Sequence, residues 1–501
     1  MKHLRIRISA LLLALLMAIS TITLVACADD PAEEKQPEQE NTPTENEQPS
    51  DDPEDPRLPL ELPTATYGGK EIHFLSYSAE GETAVGTIWI PWEEIDVEDY
   101  AGGTLEGVVY DRNATVEELY DVKITNEYIS VDQGYSNTFR ANHNSGEDRF
   151  QVATQRSYEI RALVMENLMS NMFELSNLHT DMPWWNQDSV RSFTLGSTLF
   201  FAAPELLLRD KGATAVMFYN ATVANNKGVT NLYEMAEEGT WTFEQFISLC
   251  EEVAASMDGD DLMNSGEDLW GSGMSNDAIF YLFGGSGMKF ASVDDDGYVE
   301  YQFGSEQSIL YLQDIFDYAV YTDALAHPNV VDLNGVNIFR NDCSLFAFGL
   351  VKDVLGLRSM ESDFGVLPIP KMDEYQKDYA SLVWVHHDAV LGIPSIVGDP
   401  EMVSVVLEHM SYLSYYDIYP VFYDTVILGK STRDQQSKEM LELIFQTRAF
   451  DPGQYWLATS TGPFLVLFEQ KKTNISSVWA AAIKQVEAEL EAFNEKIDEV
   501  N

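Results

Sequence analysis

Three kinds of residue in this chain could start chemistry: adjacent histidines, clustered carboxylates and aromatics in loops. His386-His387-Asp388 sets metal-ligating types side by side. Neighbours on a strand point to opposite faces, so as a strand triplet they cannot converge on one ion. Asp258-Gly259-Asp260-Asp261, with Asn264, Gly266, Glu267 and Asp268 beyond it, is acidic enough for a calcium loop. Leu262 and Met263 break its alternating ligand positions, however. Gly429-Lys430-Ser431 lacks the upstream glycine of a phosphate-binding loop, because Asp424 holds that place. Neither G-x-S-x-G nor H-E-x-x-H occurs. No cofactor and no metal is called for, and no enzyme signature is present. A two-carboxylate glycosidase stays open, since 82 Asp+Glu offer too many pairs to judge by motif.

The aromatics suit a different chemistry, non-covalent capture. Ring faces can meet the C–H groups of a pyranose while Asp, Asn and Arg take its hydroxyls. Tyr455-Trp456 follows the loop Asp451-Pro452-Gly453, Asn276-Asp277 stands just before Tyr281, and Trp384 lies between two candidate strands. Tyr77 ends a strand, where open α/β sheets hold ligand. Core packing is the competing reading for each. Trp184-Trp185 runs straight into a helix and reads as core.

The elements that must position these residues alternate. Strands are expected at Glu71–Tyr77, Val122–Tyr128, Phe150–Thr154, Leu199–Ala202, Ala213–Tyr219, Ser344–Phe348, Phe364–Leu367 and Ala389–Ile393. Helices are expected at Leu105–Tyr120, Glu159–Leu168, Thr242–Ala254, Ser305–Val320, Asp399–Tyr415, Arg433–Thr447 and Ile475–Ile497. Thr242 with Gln245 makes a capping box, and Asp399-Pro400 an N-cap with proline at the first turn. The order argues for α/β layers around mostly parallel sheet.

Ahead of this body stand Lys2, Arg5 and Arg7, an apolar run from Ile8 to about Met17, and then Leu24-Val25-Ala26-Cys27. The segment has the form of an export signal and is too short for a spanning helix. Its last four residues resemble a bacterial lipobox, which implies cleavage after residue 26 and two acyl chains on Cys27. Two chains suffice for stable membrane attachment. Residues 27–63 are acidic, proline-rich and almost without apolar side chains, so a disordered tether is expected. The formal charge of −52 argues against nucleic acid and anionic lipid as partners. With Cys27 acylated, two of the three cysteines remain, and Cys250 shares a helix face with Phe246 and Val253 as a buried thiol.

Five stretches, in their order and spacing, resemble the extracellular solute-binding proteins of ABC importers, in the maltose- and oligosaccharide-binding branch. They are Ala213–Asn220 (ATAVMFYN), Gly239–Phe246 (GTWTFEQF), Asn337–Gly349 (NIFRNDCSLFAFG), Asp363–Lys371 (DFGVLPIPK) and Gly392–Leu413. The second lacks the family's proline, and Asp342 stands where the third usually has glycine. The resemblance implies a two-lobed, periplasmic-binding-protein-like α/β fold whose lobes are joined by crossing strands, with solute in the cleft between them. It places 64–212 and about 362–415 in lobe 1, and 213–361 and about 416–501 in lobe 2. It puts Tyr455-Trp456 at the family's C-terminal aromatic pair and Asn276-Asp277-Tyr281 at its acidic-aromatic loop. The implied protein is a monomeric, lipid-anchored cell-surface receptor that passes a sugar or oligosaccharide to permease subunits. A surface-anchored carbohydrate-active enzyme and a sensory receptor without a transport role are the alternatives.

Overall fold

The computed structural model describes residues 57–78, 94–97, 104–130, 134–329, 335–424, 435–457 and 459–500. Arg57–Asn501 forms one compact unit. The signal segment, Cys27, residues 28–56 and Gly429-Lys430-Ser431 lie outside the described residues.

The folded body begins earlier than residue 63. Arg57 pairs with Asp417 at 2.8 Å and lies over the Tyr416 ring, and the Leu58 N–H donates to the Tyr416 hydroxyl at 2.9 Å. Leu60 and Leu62 pack on the core. Leu60 and Leu62 are two apart, as in an extended segment with one face against protein, while Leu58 stays exposed.

Two mixed sheets organise the body. In the first, Lys70–Ser78 sits between Val122–Ser130 and Val152–Gln155, parallel to both, and Val390–Gly392 closes the edge antiparallel to Val152–Gln155. In the second the order is Leu325–Ala326, Trp270–Gly273, Ser344–Leu350, Ala215–Asn220, Phe364–Leu367. The first three run parallel, while Ala215–Asn220 is antiparallel to both of its neighbours. The antiparallel pairings all involve a strand that arrives from, or returns to, the other sheet.

Helices form where caps and apolar stripes direct them. Thr242 accepts from the Gln245 N–H to start Phe243–Val253, and Asp399 accepts from the Met402 N–H to start Pro400–Leu413. Cys250 is fully buried because this helix lies directly on a strand: a Cβ at Gly271 would come within 2.4 Å of the Cys250 backbone. Burial pushes the Cys250 thiol well above its ordinary pKa, so it is inert.

The chain passes between the sheets in three adjacent segments. Thr214 bridges Val383, and Ser381–Leu382 pairs in parallel with Arg448–Ala449. Beside them Glu205, Asp210, Lys211 and Arg448 form a buried, charge-balanced network, with Lys211–Glu205 at 2.9 Å and Arg448–Asp210 at 2.5 Å. A broken pair there would leave an uncompensated buried charge. The return to the first sheet comes at Val383, about twenty residues later than residue 362. Phe364–Leu367 instead covers the free edge of Ala215–Asn220, and Ile369, Tyr379 and Leu382 join the second core. The C-terminal part is likewise shared: Phe450, Tyr455, Trp456, Val486, Phe493 and Ile497 pack in the first core, Phe464, Phe468 and Ile475 in the second.

Candidate functional site

Both sheets direct the carboxyl ends of their parallel strands at the crossings. From the first sheet come Tyr77, near the end of Lys70–Ser78, and Gln155, Arg156 and Tyr158, at and beyond the end of Val152–Gln155. From the second come Asn276 and Asp277, just beyond Trp270–Gly273, and Lys352, just beyond Ser344–Leu350. The turn Trp384–Asp388 lies between the two groups. In an open α/β sheet these strand ends are where backbone and side chains are free to meet a ligand.

The turn corrects one sequence expectation. His386, His387 and Asp388 stand in a hydrogen-bonded turn, with the His387 and Asp388 N–H groups donating to the Trp384 carbonyl, and not on a strand. Among the described residues no group of three His, Cys, Asp or Glu is placed to hold a metal ion, the 258–268 loop included. In that loop Asp268 accepts three backbone N–H groups, from Met257, Asn264 and Ser265. It ties the loop together with the lone pairs that a cation would need.

Four of the sequence candidates come together here. Trp384 stacks on Phe280 (5.5 Å, 19°) and takes the edge of Tyr281 at 5.6 Å. Asp277 precedes the helix Ala278–Gly285 that carries both of those rings, and Asn276 donates to Glu469 at 3.3 Å. The aromatic run continues from Trp384 to His386 at 5.2 Å and from His386 to Tyr158 at 4.4 Å. Tyr158 is 45% exposed, whereas Trp384 is 3% exposed, so the run ends in a ring open to solvent. Tyr77 lies beneath it, buried, with the Arg156 guanidinium 4.6 Å from its ring centre. It holds Arg156 in place and does not offer a ring face of its own.

Tyr455 and Trp456 lie behind this cluster, with Tyr455 on the wall of a small cavity that Tyr158 and Gln454 also line. Both are sealed in the first core, 1% and 0% exposed, stacked on Phe193 and Phe493 respectively. The Tyr455 hydroxyl and the Trp456 indole N–H both donate to the Ser192 carbonyl at 3.2 Å. The expected aromatic platform is therefore not presented by this pair. Asp451 explains why: its carboxylate accepts from the Phe290, Ala291 and Gly453 N–H groups and draws the short helix Pro452–Trp456 into the interior.

Electrostatics make the cluster weakly charged at neutral pH. Burial and the neighbouring Glu469 raise the Asp277 carboxyl to about 6, against the pull of the Trp384 indole and Lys352. Burial raises Asp388 to about 8, although the Ser157 N–H donates to it at 2.9 Å. His386 is lowered to about 4 by burial and by Arg156, and burial with the neighbouring Lys352 holds His387 well below its ordinary value. Both histidines are neutral at pH 7. Arg156 is paired with Glu159 at 2.6 Å and Lys352 with Asp353 at 3.1 Å. Several buried polar atoms have no hydrogen-bond partner among the described residues: Gln155 Oε1, Asn276 Oδ1 and Gln454 Oε1. Such atoms are costly unless something else meets them. Donors, acceptors and ring faces of this kind suit hydroxyl-bearing, uncharged solutes chemically.

Arg156, Tyr158 and Lys352 were not singled out from the sequence. The signal existed, since Gln155-Arg156-Ser157-Tyr158 leaves a strand in the same way that Tyr77 does. The strand-end rule applied to Tyr77 also selects Tyr158.

No family model and no curated protein matches the sequence. Solved structures match its fold. The ABC substrate-binding protein Lmo0181 from Listeria monocytogenes, in complex with cycloalternan, is 12% identical with a TM-score of 0.52, over 86% of this chain and 99% of its own. An ABC-transporter solute-binding protein from Thermotoga lettingae bound to α-D-tagatose is 13% identical with a TM-score of 0.53, over 84% and 100%. UgpB from Mycobacterium tuberculosis, in complex with glycerophosphocholine, is 13% identical with a TM-score of 0.54, over 78% and 98%. With its two sheets, shared crossings and strand ends turned to one cleft, the chain has the two-lobed periplasmic-binding-protein-like fold of ABC-transporter solute-binding proteins.

Proposed function

We propose that this protein is an extracellular solute receptor, held at the membrane by an acylated Cys27, that captures a sugar or oligosaccharide and delivers it to an ABC permease. The observation that carries the reading is the convergence of strand ends from both sheets on one aromatic and polar cluster at the crossings. A solute lodged there touches both halves, and contacts made to both at once favour their closure around it. Asp277, Asn276 and Gln155 take hydroxyls, the Trp384 indole orients the Asp277 carboxylate, and Tyr158 with His386 supplies the apolar face. The chemistry is reversible binding without bond cleavage.

A thermal-shift screen over sugars, oligosaccharides, peptides and polyamines tests it. A solute present at about 100 times its Kd stabilises the protein by about 2.7 kcal/mol. Stabilisation by a saccharide that is recovered unchanged supports the reading. Stabilisation by peptides or polyamines alone overturns the solute class, and turnover of the glycan overturns the receptor reading. For the anchor, Cys27→Ser should leave the protein in the soluble fraction or unprocessed; unchanged membrane fractionation with no acyl mass would remove that part of the proposal.

A further inference from the structure

A second concave surface, sharing no residue with the cleft, lies between the helices Phe243–Val253 and Glu306–Tyr321. It encloses about 1330 Å³. Its floor is apolar, formed by Phe243, Ile247, Tyr311, Tyr318 and Met372. Leu310 and Tyr321, 54% and 72% exposed, stand on its wall as large hydrophobic side chains facing water. The rim has one sign: seven of the sixteen lining residues are Asp or Glu, and none is Lys, Arg or His. Burial and the neighbouring Asp317 raise the Asp314 carboxyl, so that like charges are held together there at some cost.

The wall of the longer helix repeats at helical spacing. Glu306, Leu310, Asp314, Asp317 and Tyr321 fall on one stripe, which mixes apolar anchors with carboxylates. An apolar trough between two helices, about 24 Å long on its longer side, is the shape that a third helix fills by ridge-and-groove packing. A rim of carboxylates requires that the third helix carry cations on its flanks.

We propose that this groove docks a cationic amphipathic helix of a partner protein, its apolar face on Leu310, Tyr318 and Tyr321 above the buried Phe243 and Tyr311, and its Lys or Arg side chains paired with the rim carboxylates. The mode is helix-in-groove recognition, with anchors read at three- and four-residue spacing. Charge complementarity selects this occupant over an anionic or neutral one, and the apolar floor selects it over a free polycation. The docking leaves the solute cleft open, so a partner and a solute can be held together.

The test uses a synthetic amphipathic Leu/Lys helix of about 18 residues, roughly 27 Å long. It is titrated onto the protein by fluorescence anisotropy at 150 and 500 mM salt. A peptide of the same composition with its apolar face dispersed is the control, because a chain this acidic attracts any polycation. The expected result is binding of the amphipathic peptide at least tenfold tighter than its control, persisting in part at the higher salt. Leu310→Glu separates the two kinds of attraction. It adds a negative charge at an exposed position, so bulk attraction predicts equal or tighter binding, whereas docking predicts at least a tenfold loss. Asp314→Asn with Asp317→Asn should weaken binding several-fold, and Glu487→Gln with Glu491→Gln, on the exposed side of the last helix, should not. Equal affinity for the two peptides, or undiminished binding by Leu310→Glu, overturns the proposal.

Discussion

The Phe193–Tyr455–Trp456–Phe493 cluster and the Phe280–Tyr281–Trp384–His386–Tyr158 cluster use the same kinds of ring. Both stand beside loops, and both put an indole next to a tyrosine at 5.2–5.6 Å. They differ at their polar edges. In the first, the phenol and the indole N–H share the Ser192 carbonyl, and every ring is buried. In the second, Gln155 Oε1 and Asn276 Oδ1 beside the rings have no hydrogen-bond partner among the described residues, a carboxyl is raised to about 6, and the run of rings ends in the exposed Tyr158. A core and a proposed binding surface can share a composition. What separates them is whether the polar atoms are already satisfied.

The contrast is broken most directly by Trp456→Ala. As a fully buried ring it should cost about 3–5 kcal/mol of stability, seen as a lower denaturation midpoint, while solute affinity of the folded protein stays near wild type. A loss of affinity with unchanged stability would return Trp456 to the binding surface. Tyr158→Ala should do the opposite, weakening solute binding by about 1–3 kcal/mol, by analogy with the loss of an aromatic stack, with little change in melting temperature. Calorimetry with the solute found by the screen checks both variants.

The third prediction concerns pH. Asp277 is raised to about 6 in the solute-free protein. A solute hydroxyl donates to its ionised form, so binding is strong above pH 6 and is lost as pH falls through that value. Affinity should drop about tenfold between pH 7 and pH 5, and Asp277→Asn should flatten the profile. The sign for stability is the reverse. A raised folded-state pKa means that the protonated form is favoured in the fold, so this group's contribution declines as pH rises from about 4 to 6. An affinity that rises on acidification would show that Asp277 donates and does not accept. The smallest effect is expected of Trp384→Phe, which keeps the stack and removes the N–H. It should cost about 1 kcal/mol of binding, and no change would show that the indole acts through its face alone.

Much of the fold was legible in the sequence because its signals are local. The helix Leu105–Tyr120 and the strand Phe364–Leu367 have their expected limits, and Thr242 and Asp399 cap the helices they precede. Legibility failed where a decision was long-range. Phe364–Leu367 reads as a strand on any scale, but its sheet is decided by Ala215–Asn220, some 150 positions earlier. The site divides in the same way. Trp384, Tyr281, Asn276 and Asp277 could be named as candidates, and so could Tyr455 and Trp456. Only the Asp451 and Ser192 contacts distinguish the sets, and neither is written in local spacing. Arg156 and Tyr158 leave the end of Val152–Gln155 just as Tyr77 stands near the end of Lys70–Ser78, a local signal that the sequence does carry.

The last helix, Ile475–Val500, places Ile475 in the second core and Val486, Phe493 and Ile497 in the first. Trp479 lies flat on Tyr301, and Asn494 exchanges hydrogen bonds with the Val299 backbone, so both hold the helix to the one strand Val299–Tyr301. Through Ile475 at one end and Phe493 with Ile497 at the other, a rod of 26 residues, about 39 Å long, is riveted to both cores. Mechanically it is a tie-bar. Any gaping of the two halves that lengthened the path between its rivets would have to strip one end from its core. Rotation about an axis close to the bar would leave both rivets seated. The helix therefore narrows the ways in which the halves can move, favouring a twist over a clam-like spreading. Loosening one rivet, at Phe493 for example, should widen the range of motion before it alters anything in the cleft.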